Sequence, residues 1–354
     1  MSLSKFPILQ LPNLAFEQIL QSMRYIEIIQ FSQCSKASKS RIQALSHLWK
    51  NTGIKLQTYG FSKSVHIENP TEPLFNWWFH MDSHHEPSGN HVQKDIKIDD
   101  MEFRVCEYSN NSFESHAKSP DDCVLFLVKF FSELFSNGLS MVAIKMEGSF
   151  FDFDRYFVKT TLLHDSFQFF IDDCGLSHEE MSFMLDTFKT TNFLCQGYPG
   201  KTFRHPRPIC FPTIQIGNAF WVDSEMLENL ATNSELIRIG DSILTSEKIN
   251  EFIKKWLDSG DSWKMRDLTI RNQKYSMNAS GRRNPLKLYK DQILEGLQTK
   301  KGSKKEPGNI EYLESTVEYE KGVDIERKDG VIATIHFYEG EDVFDFMMTV
   351  WFEK

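Results

Sequence analysis

Several groups of residues in this sequence have types and spacings that invite chemistry. His80, His84, His85 and His91, with Cys106, carry the donor atoms of a zinc site, and a four-residue interval would put His80 and His84 on one helix face. No second ligand pair stands at a matching interval, and Pro87-Ser88-Gly89 reads as loop, so a solvated His-rich loop is the expectation. Gly200-Lys201-Thr202 has the ending of a phosphate-binding loop, but Cys195 stands where that pattern requires its first Gly, and Pro199 stiffens the turn. Asp152 and Asp154 alternate as a general acid–base pair on one strand face would. Polar residues pointing outward from a strand or helix start account for them more simply. Trp77-Trp78 reads as core before ligand platform. The run from Lys300 to Lys305 suits a solvated loop better than an import signal or an anion contact. The sequence therefore leads to no catalytic residue, no metal ligand and no cofactor.

The elements that would carry these residues follow from composition and periodicity. A chain of 354 residues with 40% apolar content can bury more than one core, and its 30 Phe residues read as packing material. A net charge of −9 argues against nucleic acid or an anionic membrane as the main partner. The first fifty residues run the other way, with Lys5, Arg24, Lys36, Lys39, Arg41 and Lys50 against Glu17 and Glu27, which suits an acidic protein partner. The cysteines are dispersed and form no C-x-x-C pair, so reduced, buried thiols are expected. Neither a signal peptide nor a membrane-length apolar stretch is legible, and the expected compartment is cytosol or nucleus.

Phe6 to about Leu48 reads as three short helices: one opened by Leu11-Pro12, one from Ile26 to Cys34, and one capped by Ser35. From His66 to Ser119 the order is harder to read, with strands suggested at Ile96-Lys97-Ile98 and Phe103-Arg104-Val105. Pro120-Asp121-Asp122 starts a helix that runs to Phe135. A strand-loop-helix pattern then recurs. Phe169 to Asp173 leads to Ser177 and an apolar stripe ending on Phe188, and Ile237 to Asp241 leads to Thr245 and a stripe ending on Trp256. A partial copy, Ile214 to Asn218 followed by Met226, Leu227 and Leu230, precedes the second by about 23 residues, a leucine-rich-repeat-like interval. Leu268-Thr269-Ile270 adds a strand, a solvated insertion spans Arg282 to Asn309, and a β-hairpin of Val331–Tyr338 and Val343–Trp351 closes the chain.

Leu9-Gln10-Leu11-Pro12, Ile19-Leu20, Met23, Tyr25 to Ile29, Phe31-Ser32 and Ser35 to Lys39 together resemble an F-box. A second stretch, Ser234 to Ile239, Leu244-Thr245, Asn250, Phe252-Ile253, Trp256 to Gly260 and Leu268-Thr269-Ile270, is similar to the type-2 F-box-associated domain, as is the close from Asp324 to Ile335. That domain occurs in a large, nematode-expanded group of F-box proteins. The resemblance implies a non-catalytic substrate receptor of a Skp–cullin–F-box ubiquitin ligase. Its F-box would bind a Skp-family adaptor, and through it a cullin, while the C-terminal domain selects a protein substrate. The alternative is an adaptor-bound scaffold without a ligase role.

The expected fold is α/β: an F-box over 5–50, a region of unclear fold over 51–119, and an F-box-associated substrate domain over 120–354, clearest at 210–275. That domain is expected as an open, mainly parallel, leucine-rich-repeat-like sheet with helices, ending in the hairpin. Strands around Ile171, Ile216, Ile239 and Ile270 should lie parallel in one sheet. Leu9, Leu11, Pro12, Leu14, Ile19, Leu20, Met23 and Ile28 are the expected adaptor contacts. Asp173, Arg238 and Asp241 are the expected substrate contacts, with Phe220-Trp221 an aromatic anchor or, equally, part of the core.

Overall fold

Three helices form at the N-terminus: α1 (Asn13–Ser22), α2 (Tyr25–Gln33) and α3 (Lys36–Ala44). Ser35 caps α3 by accepting the Ser38 N–H at 3.0 Å, and Glu27 turns back to accept the Arg24 N–H at 2.8 Å at the start of α2. Helices of nine or ten residues are marginal alone. These three depend on what lies beside them.

The computed structural model describes residues 8–50, 52–59, 62–69, 72–81, 93–109, 111–135, 139–145, 154, 168–172, 175–273, 275–277, 283–285, 288–302, 322–340 and 343–352. The chain divides into two units, Met1–Phe170 and Ile171–Lys354.

In the first unit the helices are followed by β1 (Gly53–Tyr59), β2 (Ser62–Asn69), β3 (Glu72–Met81), β4 (Gln93–Ile98), β5 (Met101–Ser109), β6 (Ser112–Ala117), α4 (Pro120–Phe135) and β7 (Leu139–Lys145). The region that was hard to order from sequence is thus a sheet, in the order β7-β1-β2-β3-β6-β5-β4. Only β1–β7 and β3–β6 pair parallel in it. Strand alternation sorts the aromatics. Phe75, Trp77, Phe79, Phe103 and Phe113 are buried on one face, with α4 packed against β1, β2, β3 and β6, while the neighbouring Trp78 is only half-buried. Trp77 belongs to the core, and its Nε1–H donates to Ser115 Oγ at 2.9 Å.

The helical trio shares that core. Tyr25 of α2 meets Phe75 at 6.1 Å and Phe135 at 5.9 Å, and Trp49, just after α3, lies edge-on to Phe135 at 5.1 Å. Polar contacts repeat the attachment: Arg24 to Glu107 at 2.9 Å, Gln43 Nε2 to the Glu133 carbonyl at 2.9 Å, and the Asp99 N–H to Gln33 Oε1 at 2.8 Å. Asp99, in the tight β4–β5 turn, has a positive φ of 47° that α2 therefore helps to hold.

The second unit opens on the last residues of β8 (Gln168–Asp172). It continues through α5 (His178–Thr187), β9 (Asn192–Cys195), β10 (Thr213–Ile216), α6 (Ser224–Asn233), β11 (Leu236–Gly240), α7 (Ser246–Asp258), β12 (Asp267–Gln273), β13 (Tyr275–Met277), β14 (Arg283–Pro285), α8 (Lys290–Ile293), β15 (Thr299–Lys301), β16 (Val323–Glu326), β17 (Ile332–Glu339) and β18 (Val343–Trp351). The strand order is β8-β9-β10-β11-β12-β18-β17-β16-β15, with β13–β14 a separate antiparallel pair. β9 through β12 pair parallel in register, so Ile214, Ile237 and Leu268 line up, as do Ile216, Ile239 and Ile270. All six are buried, and each strand turns its alternate residues to the other face. Side-chain oxygens of Ser177, Asp223 and Thr245 cap α5, α6 and α7, as a strand-loop-helix unit requires.

The parallel alignment of the strands at Ile216, Ile239 and Ile270 agrees with the sequence reading, and the Gln196 N–H reaches the Ile171 carbonyl at 2.8 Å. The leucine-rich-repeat-like, mainly parallel sheet does not. β9 was unforeseen, no helix joins it to β10, and beyond β12 every pairing is antiparallel. The physical reason lies in the closing hairpin. Two strands joined by a short turn must run antiparallel, and this pair inserts beside β12 instead of extending the repeat. Helix α4, expected to open the substrate domain, packs within the first unit.

Two predictions follow from this packing. Trp49→Ala should destabilise the first unit by about 3–5 kcal/mol, the cost of emptying a core aromatic site. Hydrogen exchange should show α2, β3 and α4 loosening together; loss confined to the helices would disprove the shared core. The second concerns His66, whose Nε2 bonds Ser64 Oγ at 2.8 Å and whose ring meets Trp78 at 5.7 Å. Burial, with Lys55 adding to it, pulls its pKa down to about 4. The unfolded chain takes up this proton first. Stability from the neutral ring is therefore complete above the ordinary pKa of 6.5 and is lost as pH falls from there toward 4. Urea denaturation of His66→Asn against the native chain should show a shallower loss across that window, by about 2–3 kcal/mol.

Candidate functional site

The first candidate surface lies on the helical trio. Pro12 is exposed, Leu14 keeps 69% of its surface exposed, and Leu9, Leu11, Ile19 and Met23 are half-buried. Leu20 and Ile28 are 0% and 2% exposed and belong to the core, Leu20 following Phe16 by one turn on the inner side of α1. The segment before α1 is held from α3. Arg41 donates to the carbonyls of Leu9 and Leu11 and to Asn13 Oδ1, with its guanidinium 4.6 Å over the Phe16 ring. The basic charge of this region is partly turned inward. Arg24 pairs with Glu107, and Lys39 with Asp99 and Glu133, whereas Lys36 and Lys50 stay exposed.

The second candidate surface is where the parallel strands end. Cys195 and Ile216 stand in register, with Gly240 one residue beyond. The backbones interlock past the strands: Gly217 N–H to the Cys195 carbonyl (2.8 Å), Ala219 N–H to the Gly240 carbonyl (2.9 Å), Asp241 N–H to the Arg271 carbonyl (2.8 Å). A Cβ on Gly240 would come within 2.8 Å of the Gly217 carbonyl oxygen, which is why glycine is needed there. Asp241 turns away at a φ of 50°, and the buried Ser242 donates both its N–H and its hydroxyl to Asn272 Oδ1 at 3.0 Å. Arg238 is elsewhere. It sits in mid-strand between Gln215 and Thr269, half-buried on the face opposite Ile237 and Ile239. Arg238 and Asp241 thus belong to the sheet face and the sheet edge respectively, and Asp173 lies outside the described residues. The Phe220-Trp221 pair divides: Trp221 is buried edge-on to Phe203, while Phe220 stays half-exposed.

The remaining chemistry-bearing residues are placed otherwise. His80 lies on β3, with Nδ1 2.8 Å from Ser62 Oγ and Nε2 2.9 Å from Glu114; His84, His85 and His91 lie outside the described residues. Gly200 has a φ of +99° in a turn that leads into loop, not into the helix a phosphate loop needs. Asp154 is exposed, and Asp152 is outside the described residues. Lys300 pairs with Glu326 at 2.7 Å, and Lys304 and Lys305 are outside the described residues. Among the described residues no His/Cys/Asp/Glu group is arranged to hold a metal ion, and no helix is long and apolar enough to cross a membrane.

Compared with known families, residues 8–50 match the F-box domain and residues 206–270 match the F-box associated family. The chain is an F-box protein. It carries an F-box-associated domain of the second type. No curated protein and no solved structure matches it. The F-box match ends with the short turn at Ser46–Trp49, and the F-box-associated match runs from the loop before β10 through most of β12.

The sequence does not mark Arg41 of the F-box as the residue that holds the segment before α1. There Arg41 counts only as basic charge, and nothing local marks which carbonyls a long side chain will reach. Arg41→Met should leave α3 formed but lower the amide protection of residues 8–13 at least about tenfold, with α2 unchanged. Equal protection in the variant would show that the Leu9–Asn13 segment holds itself.

Proposed function

We propose that this F-box protein is the substrate-receptor subunit of a Skp–cullin–F-box ubiquitin ligase. The F-box would bind a Skp-family adaptor, the adaptor a cullin, and the F-box-associated domain a protein substrate. The observation that carries the reading is an F-box whose Pro12 and Leu14 face solvent, on a segment pinned by Arg41, in one chain with an F-box-associated domain. Such a subunit needs no acid, base or nucleophile. It raises the concentration of substrate lysines near a ubiquitin-charged enzyme held elsewhere in the assembly.

The adaptor contacts we favour are Leu9, Leu11, Pro12, Leu14, Ile19 and Met23, since Leu20 and Ile28 are enclosed in the F-box itself. For the substrate, Arg238 and Asp241 are the described candidates, and Asp173 stays a proposal from sequence. The working compartment would be cytosol or nucleus.

Replacing Leu11 and Pro12 together by Ala should weaken adaptor binding by about 2 kcal/mol or more, as for a central anchor pair. Co-precipitation of adaptor and cullin with the full chain measures it, and unchanged capture by a folded double variant would refute the surface. Adaptor recovered without cullin would favour a scaffold over a ligase subunit.

A further inference from the structure

The turn after β10 distributes its side chains unevenly. Ala219, Trp221 and Val222 are buried, so the core is complete without Phe220, which stays half-exposed. Tyr198, on the loop after β9, meets Phe220 edge to face at 6.0 Å, and Lys201 Nζ stands 5.9 Å from the centre of the Phe220 ring. One strand further along, the loop after β11 leaves Ile243 39% exposed. These side chains ride on loops whose backbones are cross-bonded, with Gly240 leaving no room for a Cβ against the Gly217 carbonyl, so the platform is formed before anything binds it.

Its charge is also distinctive. Arg204 is paired with Asp223 at 2.9 Å, and Arg207 is bonded to Asp186. Among the described residues, the exposed Lys201 forms no ion pair, and its ammonium rests on an aromatic face alone. Asp241 marks the far, acidic end of the same loop row.

We infer that Tyr198, Lys201, Phe220 and Ile243 form a docking platform for a protein segment that sets an acidic residue against Lys201 and an aliphatic or aromatic one against Phe220 and Ile243. An open platform suits an extended segment better than a small molecule, which needs enclosure. Loops beyond the carboxyl ends of parallel strands are also where ligand contacts can differ without disturbing the sheet. This inference rests on the receptor reading for its purpose, not for its chemistry.

The test is a random twelve-residue peptide library displayed on phage, panned on the full chain without adaptor. Enriched peptides should place an Asp or Glu within three positions of a large apolar residue. Synthetic copies should bind Lys201→Glu and Ile243→Asp at least tenfold more weakly, and copies with the acid changed to Lys should regain binding to Lys201→Glu. No enrichment, enriched peptides lacking an acid, or equal binding to both variants would overturn the platform. Adaptor co-precipitation is scored separately, so a chain that selects acidic peptides but binds no adaptor would sink the receptor reading and leave the platform standing.

Discussion

Asp345 can be buried only because Arg271 lies directly across the sheet from it. The carboxylate on β18 has no exposed surface, and it takes two parallel hydrogen bonds from the guanidinium on β12, at 2.8 and 2.7 Å. Leaving either charge alone would cost several kcal/mol, roughly 3–5 for a buried pair cut in half. This pairing fixes the register in which the closing strand meets the parallel ladder, from Asp267 opposite Thr349 to Gln273 opposite Val343. With β12 so covered, the ladder can grow no further on that side. The sheet then continues antiparallel through β17, β16 and β15.

The closing segment is anchored by a second set of buried polar contacts. Arg327, nearly enclosed, bonds both oxygens of Asp329 and lies 5.4 Å over the Trp256 ring of α7. Thr334 donates to Asp324 and accepts from Trp351. The Arg327 contact ties the end of the chain to α7 of the F-box-associated match, and the Thr334 bonds hold β16, β17 and β18 to one another. The same domain also commits backbone but not side chains in the loops beyond Cys195, Ile216 and Gly240.

The F-box follows a different logic. Its helices are too short to enclose Tyr25 and Trp49, so both rings are completed by Phe75 and Phe135 from the body that follows. A module that shares its core with its neighbour cannot swing independently. What it presents outward is then set by the residues left over, Pro12 and Leu14 first among them.

Local signals determined much of this in advance. The caps at Ser35, Ser177 and Thr245, the β17–β18 hairpin, the β4–β5 alternation and the Ile216/Ile239/Ile270 alignment were all legible, because each is encoded within a few residues of where it acts. The F-box and its associated domain were legible as ordered sets of such signals. What the sequence could not supply were decisions made between distant segments. That Leu20 packs inward while Leu14 faces out, that Trp221 fills the core and Phe220 does not, and that Arg41 reaches back to Leu9 depend on which surfaces become neighbours. The change from parallel to antiparallel pairing at β12 is of the same kind. It follows from the closing hairpin inserting beside β12, where residues 271 and 345 form a salt bridge, and no local pattern in either strand names its partner.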